Sequence, residues 1–232
     1  MRIFGNLNEM YLELEREIKH NGLTVQVETV QDKKVKDDKE YLTKELLGYS
    51  FLVKNTSDRD KWIKTLNCNL DWCKEEFAER TSVHEVNPGK AWKLRRKIWQ
   101  EFIHDGKFSY TYNERLRNQL NKTIDLLNTN PRSRQAIITI YDQHQDIDNR
   151  AGQKRIPCSM YYQFFIREGK LNLIYNIRSN DFVNHFPYDL WLAAELQQYI
   201  AQHNKHVAGK VGDLIYFCGS LHVFYKDCRE IF

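Results

Sequence analysis

The sequence has no apolar run long enough to span a bilayer. Its first residues, Met1 to Ile18, interleave Glu9, Glu13, Glu15 and Arg16 with the apolar side chains, so the unbroken core of a signal peptide is missing as well. Paired cysteine spacing is also absent: the five cysteines, at 68, 73, 158, 218 and 228, include no Cys-x-x-Cys and no neighbouring histidines that would complete a tetrahedral zinc set. This excludes a disulfide framework and points to free thiols in a reducing compartment, hence to a cytoplasmic protein. There is no basic tail. Lys plus Arg total 35 against 31 Asp plus Glu, a formal +4 that is interspersed, which suits a small anionic substrate and gives no reason to expect direct nucleic-acid binding. Repeats, low-complexity tracts and linkers are lacking, so residues 1–232 are expected to form a single α+β domain.

Leu7, Met10, Tyr11, Leu14 and Ile18 recur at helical spacing, and His20-Asn21-Gly22 suggests a left-handed helix cap. The dense charges from Gln31 to Glu40 read as an exposed loop or strand tip. Residues 65–77 and 88–102 carry Trp72, Trp92 and Trp99 among charges and predict helices. Arg115 to Leu127 forms a further helical stripe, ended by Asn128-Thr129-Asn130-Pro131. Ala136 to Tyr141 is β-branched and short, as a buried strand would be. Ser159–Arg167 and Lys170–Arg178 flank Glu168-Gly169, a hairpin signature that puts Cys158 and Arg178 at the same open end. Pro187 starts a strongly apolar helix with Asp189 in its first turn, and 214–217 and 221–225 read as two strands.

A free cysteine is mostly protonated near neutral pH, so a nucleophilic Cys158 needs cations or donors nearby; Arg155 and Arg178 are the local candidates. Arg178-Ser179 combines a guanidinium fork with a hydroxyl, a pair suited to phosphate oxygens, and Ser133-Arg134 repeats it.

Asn130-Pro131-x-Ser133-Arg134, Pro157-Cys158, Gln163-Phe164, Arg178-Ser179-Asn180-Asp181, Pro187, Gly212-Asp213 and Gly219-Ser220-Leu221-His222-Val223 together resemble the thymidylate synthase superfamily, from about Leu116 to Tyr225. Within it the chain looks most like the deoxycytidylate hydroxymethylases of large bacteriophages, and Asp189 points the same way. The resemblance implies a bent mixed or antiparallel sheet covered by helices, with homodimers joined through the other sheet face. It also implies a pyrimidine nucleoside monophosphate as substrate and 5,10-methylenetetrahydrofolate as cofactor. Cys158 would add to pyrimidine C6 with Tyr112 assisting, and Arg178, Ser179 and a partner's Arg134 would bind the 5′-phosphate. His222 would meet the sugar, Asp181 the pterin, and Gln163 and Asp189 the base. Asp189 has two readings: a helix-capping charge, or a carboxyl that accepts from cytosine N4 and, when protonated, donates to N3.

Some positions depart from the family pattern. Asn69, in Asn69-Leu70-Asp71-Trp72, stands where the family places its catalytic glutamate, and an amide can order water but cannot act as its general base. Gln135 replaces a second phosphate-binding arginine, Phe224 a sugar-reading tyrosine and His185 a glycine near the pterin. The sequence ends soon after Tyr225, which would favour water as the final nucleophile. The leading expectation is folate-dependent C5 hydroxymethylation of a cytidine 5′-monophosphate, dCMP above all. The alternatives are C5 methylation of dUMP or dCMP, and a diverged nucleotide-binding or interaction protein of the same fold.

Overall fold

The computed structural model describes residues 1–30, 33–146 and 155–232; Gln31 and Asp32 of the charged segment lie outside the described residues. Strands β1 (Arg2–Phe4), β2 (Leu23–Gln26), β5 (Leu42–Val53), β6 (Ile137–Thr139), β7 (Ser159–Arg167), β8 (Lys170–Asp181) and β9 (Val211–Phe224) form one sheet in the order β1-β5-β9-β8-β7-β6, with β2 on β5. A small ribbon pairs β3 (Thr29–Val30) with β4 (Lys33–Lys34). The sheet is mixed: β1 runs parallel to β5 and β8 to β9, while the other pairs are antiparallel. The α-helices among the described residues are α1 (Leu7–Asn21), α2 (Arg59–Thr65), α3 (Leu70–Thr81), α4 (Arg96–Trp99), α5 (Tyr112–Thr129), α6 (Gln143–Asp146) and α7 (Phe186–Gln202). The long helices cover one sheet face: α1 packs on β5, α5 on β6, and α7 on β8 and β9.

The covered face holds the core. Along β8, Leu171, Leu173, Tyr175 and Ile177 are fully buried, and β9 matches them with Leu214, Tyr216 and Cys218. The alternate positions face the other way and mix apolar with polar side chains: Leu47, Ile137 and Phe217 are 61%, 40% and 41% exposed, Ile174 pairs with Ile215 between them, and Asn172, Asn176 and Gln163 share that face. Few sheets leave such a face to water.

The hairpin forms as its sequence requires. Glu168 and Gly169 both take positive φ, 52° and 68°, the pattern of a two-residue turn whose twist matches the strands. Other expectations are corrected. Gly22 is extended (φ −67°, ψ 137°), so α1 does not end in a left-handed cap; the Gly22 N–H still donates to Ile18 O at 3.0 Å. The segment 88–102 is a chain of short turns, a 3-10 helix over Ala91–Arg95, then α4, then a second 3-10 turn, with several of its apolar side chains reaching different neighbours. The two strands expected near the C-terminus are one, β9, and β5 pairs along its length although its own pattern predicts no strand.

Candidate functional site

β7 starts irregularly: Ser159 pairs with Ile177 but Tyr161 with Asn176, so a bulge falls at the strand end that carries Cys158. Bulges of this kind re-aim side chains. Arg178 closes the opening. Its N–H donates to Cys158 O at 2.8 Å, Nε donates to Pro157 O and Nη2 to Ile156 O, both at 3.0 Å, and Nη2 lies 3.8 Å from the Cys158 Sγ. The next strand can approach because residue 219 is glycine; a Cβ there would stand 2.5 Å from Arg178 O.

Burial pushes the Cys158 thiol up. Arg178 and Arg155 pull it back, and Asp189 and Asp181 add to the rise. The flanking cations therefore do not win in the free protein: the resting group is a thiol, and full activation needs a further change. Asp189 shares this site. Burial raises its carboxyl to about 6, against the opposing charges of Arg80 and Arg95. At neutral pH a modest cost therefore separates its two protonation states.

Behind Cys158, Ser159 Oγ sits between Tyr112 OH at 3.0 Å and Tyr175 OH at 2.7 Å. Tyr112 is thus linked to the residue next to the nucleophile. Its ring carries the Arg80 guanidinium at 3.8 Å, and Arg80 Nε donates to Glu76 at 2.8 Å. Tyr110 was not singled out by sequence, yet it is the buried tyrosine on which Cys158, Arg155 and Arg178 all act, and burial raises its hydroxyl to about 12. A cavity runs along this wall, lined among others by Glu76, Trp92, Trp99, Phe108, Tyr110 and Arg155. The Arg155 guanidinium lies 4.5 Å from the Trp99 ring and 4.9 Å from the Tyr110 ring.

The remaining candidates divide. Asp181 and His222 are register partners on β8 and β9 beside the same opening, as are Ser179 and Ser220. The Asp181 carboxylate holds the turn into α7, accepting from Val183 N at 3.0 Å, Asn184 N at 2.9 Å and Asn184 Nδ2 at 3.0 Å. Asn69 is engaged at both ends of its amide: Oδ1 accepts from Trp72 N at 2.9 Å and caps α3, while Nδ2 donates to Leu94 O at 3.1 Å. The structure therefore gives Asn69 a capping task. Gln163 is not brought to Cys158. It lies on the uncovered sheet face, opposite Ile137 and Ile174, and donates to Arg134 O at 2.9 Å. Arg134 is exposed beside it, far along β7 from the Cys158 of its own chain.

A sequence model of the family described as thymidylate synthase matches residues 10–231. The chain belongs to the thymidylate synthase family. A putative thymidylate synthase of Methanosarcina barkeri is 33% identical over 126 residues, 52% of this chain and 55% of that protein, so the alignment spans about half of that relative's length. A thymidylate synthase of Pseudomonas fluorescens is 24% identical over 249 residues, covering 96% of this chain and 82% of that one. The solved thermostable thymidylate synthase A from Bacillus subtilis superposes with a TM-score of 0.68 at 20% identity, covering 95% of this chain and 80% of that one, and so shares the fold. The expected thymidylate synthase-like α+β fold is therefore present, with its mixed sheet and helical cover. Among the described residues no helix is long and apolar enough to cross a membrane.

Two residues near this candidate site, Tyr110 and Arg95, escaped sequence reading. Tyr110 stands two residues from the tyrosine that drew attention, and only the cap at Thr111 between them separates their directions. Arg95 lies in Lys93-Leu94-Arg95-Arg96-Lys97, which reads as a solvated face.

Proposed function

We propose that the protein transfers a one-carbon unit to C5 of a cytidine 5′-monophosphate, dCMP above all, and leaves it as a hydroxymethyl group. The observation that carries this reading is the half-buried Cys158 thiol with Arg178 on it and the half-buried Asp189 carboxyl close enough for its charge to act on the thiol. Arg178 and Ser179 hold the phosphate of the nucleotide, with Arg134 supplied by a second copy docked on the uncovered sheet face. His222 faces the sugar. Asp189 reads the base: one carboxyl oxygen accepts from N4–H, and the protonated oxygen donates to N3. A phosphate bound at Arg178 draws its guanidinium toward the site, and the Cys158 thiolate adds to C6, so that electron density builds at C5.

The residues present fit the expected cofactor, 5,10-methylenetetrahydrofolate. Trp92, Trp99 and Phe108 offer aromatic walls to a flat pterin. His185, held near 4 by burial, is uncharged beside them and is not obliged to desolvate a cation; Asp181 lies next to it. When bound, the folate supplies the one-carbon unit. Asn69 cannot take the proton-transfer role of a glutamate, so the base that activates the final water comes from another residue.

Methyl transfer to dUMP is the second reading, favoured by the name thymidylate synthase on the relatives. Tritium release from C5 of labelled dCMP and dUMP tests the common chemistry, since exchange requires attack at C6. Release from dCMP with no stoichiometric dihydrofolate is the expected result. Stoichiometric dihydrofolate would assign methylation instead, and no release from either nucleotide would defeat both.

A further inference from the structure

Four aromatic rings close around one guanidinium. Arg155 Cζ lies 4.5 Å from the ring centroid of Trp99, 4.9 Å from that of Tyr110, 5.4 Å from that of Phe102 and 5.9 Å from that of Phe108. Trp99 and Phe102 belong to the turns of segment 96–102, and Phe108 and Tyr110 to the stretch before α5, so two separate pieces of chain meet on one side chain. Arg155 makes no hydrogen bond or ion pair with a described residue. The two carboxylates lining the same cavity are engaged elsewhere: Glu76 accepts from Arg80 Nε at 2.8 Å, and Glu79 accepts from Ala91 N at 2.9 Å. What holds the guanidinium is the ring faces, by cation–π attraction.

Trp99 and Phe108 are also walls offered to a flat pterin, and Arg155 lines the cavity with them. Trp99 has little other surface to give: Trp72 is stacked with it at 6.4 Å, and Phe102, Phe108 and His185 meet it at steep angles, 6.2, 6.3 and 6.0 Å away. A planar heterocycle stacks in van der Waals contact, with about 3.5–4 Å between its atoms and the ring. The Arg155 guanidinium, 4.5 Å from the Trp99 centroid, stands in that layer. The two cannot share it. The backbone behind the side chain is held, since Arg178 donates to the Ile156 and Pro157 carbonyls, each at 3.0 Å. Making room therefore asks only for rotation of the Arg155 side chain.

We propose that Arg155 is a specificity-determining residue of the cofactor site: its guanidinium occupies the ring surface at rest, and a flat bicyclic heterocycle of the pterin class binds by displacing it. The assignment rests on the reading of this cavity as the pterin site. Displacement sets a threshold. A ligand gains the ring faces only against the cation–π contacts that it ends, so its apparent affinity is the intrinsic one multiplied by the fraction of molecules whose Arg155 has turned away. A planar system broad enough to cover several rings passes that threshold. A single small ring or an aliphatic chain, with fewer contacts to offer, does not.

The test is calorimetry of tetrahydrofolate against wild type and Arg155→Ala, with dCMP present. Removing the guanidinium is expected to tighten tetrahydrofolate by about tenfold, the order that one or two half-buried cation–π contacts represent. The neutral, tail-free 6-methylpterin should tighten by a similar factor, which separates displacement from the effect of a lost cation on the folate carboxylates. Equal or weaker binding of tetrahydrofolate by Arg155→Ala would overturn the proposal, weaker binding by making Arg155 a folate contact. Tightening of tetrahydrofolate without tightening of 6-methylpterin would overturn it as well. If Arg155→Ala does not fold, Arg155→Gln, which makes no cation–π contact, is read by the same rule. Absence of binding of both probes to both proteins would instead defeat the pterin reading of the cavity.

Discussion

Two walls enclose Cys158, and they are built differently. The strand wall consists of the ends of β7, β8 and β9, where one hairpin turn sets Cys158 against Arg178 and the β8–β9 register sets Asp181 beside His222. The helical wall gathers Asn69, Arg95, Tyr110 and Tyr112 from separate segments, held by a cap at Asn69, rings stacked on Arg95 and a serine bridge to Tyr112. Register places groups by backbone hydrogen bonds that any sequence of suitable pattern makes. Packing places them by side chains that must all be present together. Most of the family motifs lie on the strand wall, which departs from them at Phe224, while the helical wall carries the departure at Asn69.

The largest expected effect falls on the strand wall. Cys158→Ser should lower tritium release from dCMP by at least about 1000-fold, because a serine hydroxyl has no base here to match a thiolate. Binding of dCMP should persist, measured by calorimetry, since the phosphate and base contacts remain. Retention of turnover would remove the nucleophile and with it the strand wall's claim to the chemistry.

Asp189→Asn joins the two walls, as Asp189 stands where both act. Each well-paired base edge is worth roughly 1–3 kcal/mol of discrimination, so the ratio of dCMP to dUMP affinity should fall by about tenfold or more. The pH dependence follows from a carboxyl raised to about 6. Below that value the acid form donates to cytosine N3. Above it the carboxylate faces the N3 lone pair, so dCMP affinity should weaken as pH rises through about 6, by up to about tenfold per pH unit, and the asparagine variant should lose this dependence. A flat wild-type profile would show that Asp189 only caps α7.

The same contrast explains what could be read from sequence. Cys158, Arg178, Asp181 and His222 are near one another in the fold because two strand pairings bring them there: the β7–β8 pairing is written locally in Glu168-Gly169, while the parallel β8–β9 pairing forms across the α7 crossover between two strands of alternating apolar residues. Gln163 misled because strand alternation puts it on the uncovered face. Arg95 and Tyr110 could not be separated from solvated charge and core aromatic, since their surroundings come from α7 and the segment before β7, remote in sequence. β5 went unseen because its residues mix Lys44, Glu45 and Gly48 among apolar ones, and only pairing with β9 along most of its length makes it a strand.

A third variant tests the uncovered face that would unite two strand walls. Phe217, 41% exposed in the middle of that face, is replaced by Glu. Charge at the centre of an apolar interface should shift sedimentation from dimer to monomer at micromolar concentration. If Arg134 comes from the partner, the KM for dCMP should rise by about tenfold, the worth of one charge-assisted contact. A wild-type protein that sediments as a monomer would separate Arg134 from the site altogether.

The smallest effect is expected on the helical wall, at Thr111. Its Oγ accepts from Glu114 N at 3.3 Å and donates to Val86 O at 2.9 Å, while Glu114 returns to Thr111 N at 2.6 Å in a reciprocal cap between Tyr110 and Tyr112. Thr111→Ala removes the bonds made by the Thr111 hydroxyl and leaves the backbone N–H on Glu114, which should cost about 1 kcal/mol and lower Tm by roughly 2–4 °C. Tritium release at 25 °C should stay within about threefold of wild type, because the two tyrosines have other anchors: Arg155 beside Tyr110, and Arg80 and Ser159 on Tyr112. A fall in release comparable with that of a strand-wall substitution, at unchanged nucleotide affinity, would mean that one local cap sets the tyrosines, and that packing redundancy does not hold the helical wall.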